Sequence, residues 1–201
     1  MLDVIKAIYE RDPAAKNIEI ILYQGLWAMF FHRIAHALYR WHVPFFPRLI
    51  SQISRLLTLI EIHPGATIGT GCFIDHGNGV VIGETTIIGN NVTIYQGVTL
   101  GGTGHEQGKR HPTIGNEVVI GAGAIVLGAI VVGDGARIGA GAVVTKSVPQ
   151  DTTVVGNPSW YIRRDGRRLD PLEHGALPDP VHKVIGELAQ KIDELEKKIR
   201  Q

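Results

Sequence analysis

Between Ile62 and Val144 an aliphatic residue returns every six positions: Ile62, Ile68 and Ile74, then Ile82, Ile88, Ile94 and Leu100, then Ile114, Ile120, Val126, Val132, Ile138 and Val144. The next residue is glycine at positions 69, 83, 89, 101, 115, 121, 133 and 139, and the fourth after it is small or β-branched at Ala66, Cys72, Thr86, Ala124 and Ala142. A six-residue period signals a parallel β-helix. Each short strand points its aliphatic side chain at the axis, and glycine tolerates the backbone angles of the corner that follows. Three strands close one triangular coil, so thirteen repeats predict about four coils around a dry aliphatic core, each coil covering the strand edges of the next.

The period breaks twice. Ile74 to Ile82 is eight residues, with Asp75-His76-Gly77-Asn78-Gly79 inserted. Leu100 to Ile114 is fourteen, two more than a multiple of six, and holds Gly101-Gly102-Thr103-Gly104-His105-Glu106-Gln107-Gly108-Lys109-Arg110-His111-Pro112. A uniform solenoid bulges only where something local demands it, so these polar insertions are where function is expected. Both carry histidine beside a charged residue.

Residues 1–60 have apolar side chains at helical spacing, punctuated by Pro13, Pro44 and Pro47, and predict short helices packed on the solenoid. The apolar stretch from Ile20 to Phe31 is too short to span a bilayer and reads as a buried helix. Asp12 before Pro13 has the form of an N-cap with proline at the first helical position. The solenoid is assigned to 61–160, a linker to 161–180 and an amphipathic helix to 181–201. There Val181, Ile185, Leu188, Ile192, Leu195 and Ile199 form a heptad seam that predicts self-association. The fold class is thus α+β: N-terminal helices, a left-handed parallel β-helix and a C-terminal helix.

With 20 basic and 19 acidic side chains, the net charge of +1 provides no field for nucleic acid or an anionic membrane. One cysteine, Cys72, excludes an internal disulfide, and its inward small position predicts packing, not nucleophilic chemistry. With no basic-then-apolar leader at the N-terminus, a cytoplasmic location is expected. His105, His174 and His182 sit in no motif and read as surface residues.

The combination of Glu61-Ile62-His63-Pro64-Gly65-Ala66, Asp75-His76-Gly77, Gly83-Glu84-Thr85, Gln96-Gly97-Val98-Thr99-Leu100-Gly101-Gly102-Thr103-Gly104 and Arg110-His111-Pro112 resembles the serine acetyltransferases of cysteine synthesis. Arg11-Asp12-Pro13 and Gly156-Asn157-Pro158 extend the likeness over most of the chain. The repeat alone is shared by many acyltransferases, whereas the Asp-His insertion joined to the Gly-Gly-Thr-Gly and Arg-His-Pro loop is specific.

The resemblance implies acetyl transfer from acetyl-CoA, a co-substrate, to the hydroxyl of L-serine, with no permanently bound cofactor and no metal. His76 matches the general base, and Glu61 stands where the family has the aspartate that orients it. Asp12 and Asp75 match the acids for the substrate ammonium, and Arg110 and His111 the pair for its carboxylate. Gly102, Thr103, Ala122 and Ala140 match positions along the pantetheine arm. A homotrimer or dimer of trimers is implied, with the site between subunits because one solenoid face offers a groove with a single wall. The family's docking to cysteine synthase uses a terminal isoleucine, which the final Lys198-Ile199-Arg200-Gln201 lacks. Two other enzymes fit the same scaffold: an acetyltransferase for a different hydroxyl, against which the acids at Asp12 and Asp75 argue, and a zinc hydratase built on His76, His105 and His111, for which the Gly-Gly-Thr-Gly loop has no purpose.

Overall fold

The computed structural model describes residues 1–103, 107–157 and the backbone of 160–162. The proposed linker and C-terminal heptad seam, and His105, His174 and His182, lie outside the described residues.

All thirteen periodic aliphatics fall in strands. The first coil is β1 (Glu61–Ile62), β2 (Thr67–Ile68) and β3 (Phe73–Ile74), and the second is β4 (Val81–Ile82), β5 (Ile87–Ile88) and β6 (Thr93–Ile94). The third is β7 (Thr99–Gly101), β8 (Thr113–Ile114) and β9 (Val119–Ile120), and the fourth is β10 (Ile125–Leu127), β11 (Val131–Val132) and β12 (Arg137–Ile138). A fifth coil, beyond the expected four, follows with β13 (Val143–Val144), a bridge from Val148 to Val132, and β14 (Thr153–Val155).

The coils stack as a left-handed β-helix with three parallel faces: β1-β4-β7-β10-β13, then β2-β5-β8-β11, then β3-β6-β9-β12-β14. The register carries the six-residue period into space. Ile62 pairs with Ile82 and Ile82 with Leu100 on the first face, and Ile74 with Ile94 and Ile94 with Ile120 on the third. Between these columns lies the small row, with Ala66, Cys72, Ala124 and Ala142 fully buried. Burial pushes the Cys72 thiol up to about 12, so it packs and does not react. Across the boundary set between solenoid and linker, β15 (Trp160–Ile162) pairs antiparallel with β14 and occupies the edge of the third face.

Around the first coils lie α1 (Leu2–Arg11), a 3-10 turn (Asn17–Leu22), α2 (Gln24–Arg40) and α3 (Phe46–Thr58). Two sequence readings need correction. Asp12 does not start a helix: it is the C-cap of α1, in extended conformation because the following Pro13 excludes the helical region. Nor is Ile20–Phe31 one buried helix. The 3-10 turn ends at Leu22, α2 starts at Gln24, and Leu22, Trp27 and Phe30 are exposed. The helices form a single layer, so each buries only the face turned to its neighbours. That face on α2 includes Gly25, Met29 and His32, and a Cβ on Gly25 would stand 2.2 Å from the Ile74 carbonyl oxygen.

His32 is buried with an unpartnered Nδ1, and desolvation pulls its pKa from 6.5 down to about 3. The unfolded chain therefore takes up a proton below pH 6.5 that the folded chain refuses until about pH 3. Its share of stability is complete above pH 6.5 and is lost as pH falls through that window. Replacing His32 with leucine is expected to remove up to about 1.4 kcal/mol per pH unit from the slope of unfolding free energy. Urea unfolding between pH 6.5 and 5 checks this, and equal slopes for both proteins would contradict it.

Candidate active site

The first break lies at the corner where the chain passes from the third face to the first, between β3 and β4. His76 itself adopts φ of 55°, and Gly77 follows at 71° with its missing Cβ directed at Ile60, so the turn is tight enough to throw the imidazole outward. The His76 side chain is 71% exposed, and its Nε2 lies 3.9 Å from Oδ2 of half-buried Asp75. Burial raises the Asp75 pKa, His76 opposes that, and the charge of Asp12 adds to it.

Asp12 reaches this corner from the end of α1. Its carboxylate accepts a hydrogen bond from the Ala14 amide at 2.8 Å and another from the Tyr23 hydroxyl. Bonding to Asp12 pushes the Tyr23 pKa up to about 12. Arg11 fixes the end of α1 on the second coil through the Val92 carbonyl, the Thr93 hydroxyl and the Asn91 side chain. Two carboxylates held close enough to raise one pKa make a place where a cation is welcome.

From His76 a groove runs down the same corner of the later coils. It has a volume of about 300 Å³, and Tyr95, Gln96, Gly121, Ala122, Gly139 and Ala140 line it. The corner residues of coils three and four are thus glycine and alanine, and they leave room for a long narrow ligand beside the backbone.

The second break lies one corner further on, between the first and second faces. β7 and β8 are consecutive strands, so the excess is not a two-residue bulge. Fourteen residues against the usual six make an eight-residue excursion. It brings Arg110 and His111 back beside Glu84 and Thr85 of the coil below. Arg110 pairs with Glu84 at 2.5 Å, and the Tyr39 hydroxyl donates to the other Glu84 oxygen at 3.2 Å. The Arg110 guanidinium holds the Glu84 carboxyl below its usual range. His111 is buried, which lowers its pKa, and its ring lies over Gly83. A Cβ on Gly83 would overlap the His111 ring at 1.9 Å, and one on Gly102 would crowd both Arg110 and His111 at 3.1 Å. Thr103, exposed, stands beside Gly128 of the next coil.

The structure therefore gathers Asp12, Asp75 and His76 at one corner, with Ala122 and Ala140 at the same corner of later coils, and Arg110, His111, Gly102 and Thr103 at the next. One face of the prism separates the two groups. Glu61 is the sequence-proposed residue that is not brought to His76: its carboxylate lies 3.6 Å from Arg48 and 3.5 Å from Arg55, both on α3. Three partners the sequence reading gave no role are Arg11, Glu84 and Thr85. Their signal was membership of the segments Arg11-Asp12-Pro13 and Gly83-Glu84-Thr85. Among the described residues no three His, Cys, Asp or Glu side chains gather to hold a metal ion.

Residues 111–146 match the family described as bacterial transferase hexapeptide (six repeats). The serine acetyltransferase of Synechococcus elongatus is 58% identical over 193 residues, covering 95% of this chain and 79% of that one. The serine acetyltransferase of Bacillus subtilis is 57% identical, covering 95% and 89%. The chain belongs to the serine acetyltransferase family. Among solved relatives, soybean serine acetyltransferase complexed with serine superposes with a TM-score of 0.78 at 45% identity, over 80% of this chain and 67% of that one.

The packing of His111 over Gly83 gives a direct test. Gly83→Ala is expected to cost about 1–3 kcal/mol by overpacking and to lower Tm by several degrees. Gly108→Ala, whose Cβ would meet nothing within 4 Å, is the control and should move Tm little. Equal, small shifts in thermal unfolding of the two variants would show that His111 is not seated there.

Proposed function

We infer that the protein transfers acetyl from acetyl-CoA to the hydroxyl of L-serine, giving O-acetylserine for cysteine synthesis in the cytoplasm. The observation that carries this is the groove with His76 at its head, the paired acids beside it and a floor of glycine and alanine. Family membership supports the same reading, and no helix among the described residues is long and apolar enough to cross a membrane.

In this reading the serine ammonium sits between Asp12 and Asp75, and the hydroxyl faces His76. The imidazole takes the hydroxyl proton as general base while the oxygen attacks the thioester carbonyl. The C–S bond then breaks, and the imidazolium returns the proton to the departing thiolate. In this reading Asp75, whose Oδ2 lies 3.9 Å from the ring, steadies the charged imidazole by its charge.

The ammonium and carboxylate of an amino acid hang from one carbon, so a single chain cannot hold one at each of two corners. A neighbouring subunit supplies Arg110 and His111, and the guanidinium fork suits a carboxylate. The pantetheine arm then lies between Ala122 and Ala140 of one subunit and Gly102 and Thr103 of the other, and the working assembly is a homotrimer with one such site at each of its three interfaces.

A thiol-release assay with acetyl-CoA against serine, homoserine, threonine and a sugar tests the substrate. Release is expected with serine far above the others, and preference for a neutral acceptor would overturn the reading. His76→Ala is expected to lower turnover about 10²-fold or more while acetyl-CoA still binds. Turnover near wild type would remove His76 as the base.

A further inference from the structure

The hydrogen bonds around Thr85 determine which nitrogen of His111 carries the proton. The Thr85 backbone N–H, which can only donate, lies 3.2 Å from His111 Nδ1, so Nδ1 is the acceptor. The Thr85 hydroxyl oxygen accepts from the backbone N–H groups of both Arg110 and His111, each at 3.1 Å. With both lone pairs engaged, its own hydrogen is left to donate, and the group 2.9 Å away is again His111 Nδ1. Lys109 closes the same clasp, its ammonium donating to the Thr85 carbonyl at 2.6 Å. Three successive residues of the excursion are therefore tied to one threonine of the coil below.

A neutral imidazole accepting at Nδ1 must carry its proton at Nε2. Nε2 lies on the side of the ring toward Gly83 and Gly102, beside the Arg110 side chain. We propose that Thr85 is a positioning residue for substrate recognition: its hydroxyl and amide lock His111 as the neutral Nε2–H tautomer and seat Arg110 beside it, so that the pair presents N–H donors to the carboxylate of an amino-acid substrate. This rests on the serine reading above for the identity of that carboxylate. The hydroxyl, and not the methyl, does the work, because each of the three side-chain contacts to the loop is made by Oγ1.

Thr85→Val keeps the shape and removes the hydroxyl, and Thr85→Ser keeps the hydroxyl and removes the methyl. The valine variant is expected to raise the KM for serine about tenfold or more, with the KM for acetyl-CoA unchanged, while the serine variant stays close to wild type. Nitrogen-15 spectra of histidine-labelled protein supply the second readout. Wild-type His111 is expected at pH 7 as the Nε2–H tautomer, and the valine variant, which keeps only the amide contact to Nδ1, should show a smaller share of it. Three results would overturn the proposal: a wild-type His111 that is doubly protonated or carries its proton on Nδ1, a valine variant with an unchanged serine KM, or a serine variant as impaired as the valine one. Both KM values rising together with a fall in Tm would also overturn it, since that marks a loop that has merely lost its fold. If wild-type protein releases no thiol with serine, the substrate reading fails while the tautomer measurement still decides what Thr85 does to His111.

Discussion

Both corners of the candidate site are positioned by the stacking of aliphatic side chains in vertical columns inside the prism. Ile88 pairs with Ile114 and Ile114 with Val132, coil upon coil, and each of these residues is almost wholly buried. A shift of one residue in any coil would turn its aliphatic row outward, because successive side chains of a strand point to opposite sides. The core therefore admits no slack, and extra residues can only leave at a corner. That is why Asp75 to Gly79 and the loop carrying Arg110 stand outside the prism while the strands before and after them remain in register.

The same constraint divides the chemistry. The acids and His76 occupy one corner, and Arg110 and His111 the next, with a face of the prism between them. The first corner carries carboxylates from two segments, the end of α1 and the first break, brought together because Arg11 clamps α1 to the second coil. The second carries a guanidinium already oriented by Glu84 and an imidazole already oriented by Thr85. Each corner is prepared in the isolated chain, and neither alone accommodates both charges of an amino acid. The proposed sharing of one substrate between two subunits follows from this separation.

The repeat was legible because a single periodicity decides the fold of more than eighty residues, and the two sites were legible as departures from it. What escaped the sequence was contact between distant segments. Glu61 looked like an orienting carboxylate from its place in the motif, but its oxygens meet Arg48 and Arg55, whose approach depends on how α3 lies on the first coil. Asp12 before Pro13 has the local form of a helix start, and only the preceding helix makes it an end. The exposed faces of α2 and α3 went unread for the same reason: Trp27, Phe46 and Leu56 sit on the outside of a one-layer cover, and helical spacing records a face without saying what lies against it. Glu84 and Thr85 occupy corner positions of the repeat, and nothing in their own coil reveals that the excursion above folds back onto them.

The central claim is that the two corners act on one substrate only across a subunit boundary, and complementation between inactive subunits measures it most directly. Subunits carrying His76→Ala retain Arg110, and subunits carrying Arg110→Ala retain His76. When the two are unfolded together and reassembled at equal amounts, about a quarter of the sites regain both residues if partners mix at random. Acetyl transfer to serine is therefore expected to recover to about that fraction of wild type in the mixture, and to remain absent in either variant reassembled alone. A mixture as inactive as its components would show that one chain must supply both corners, and would contradict the account.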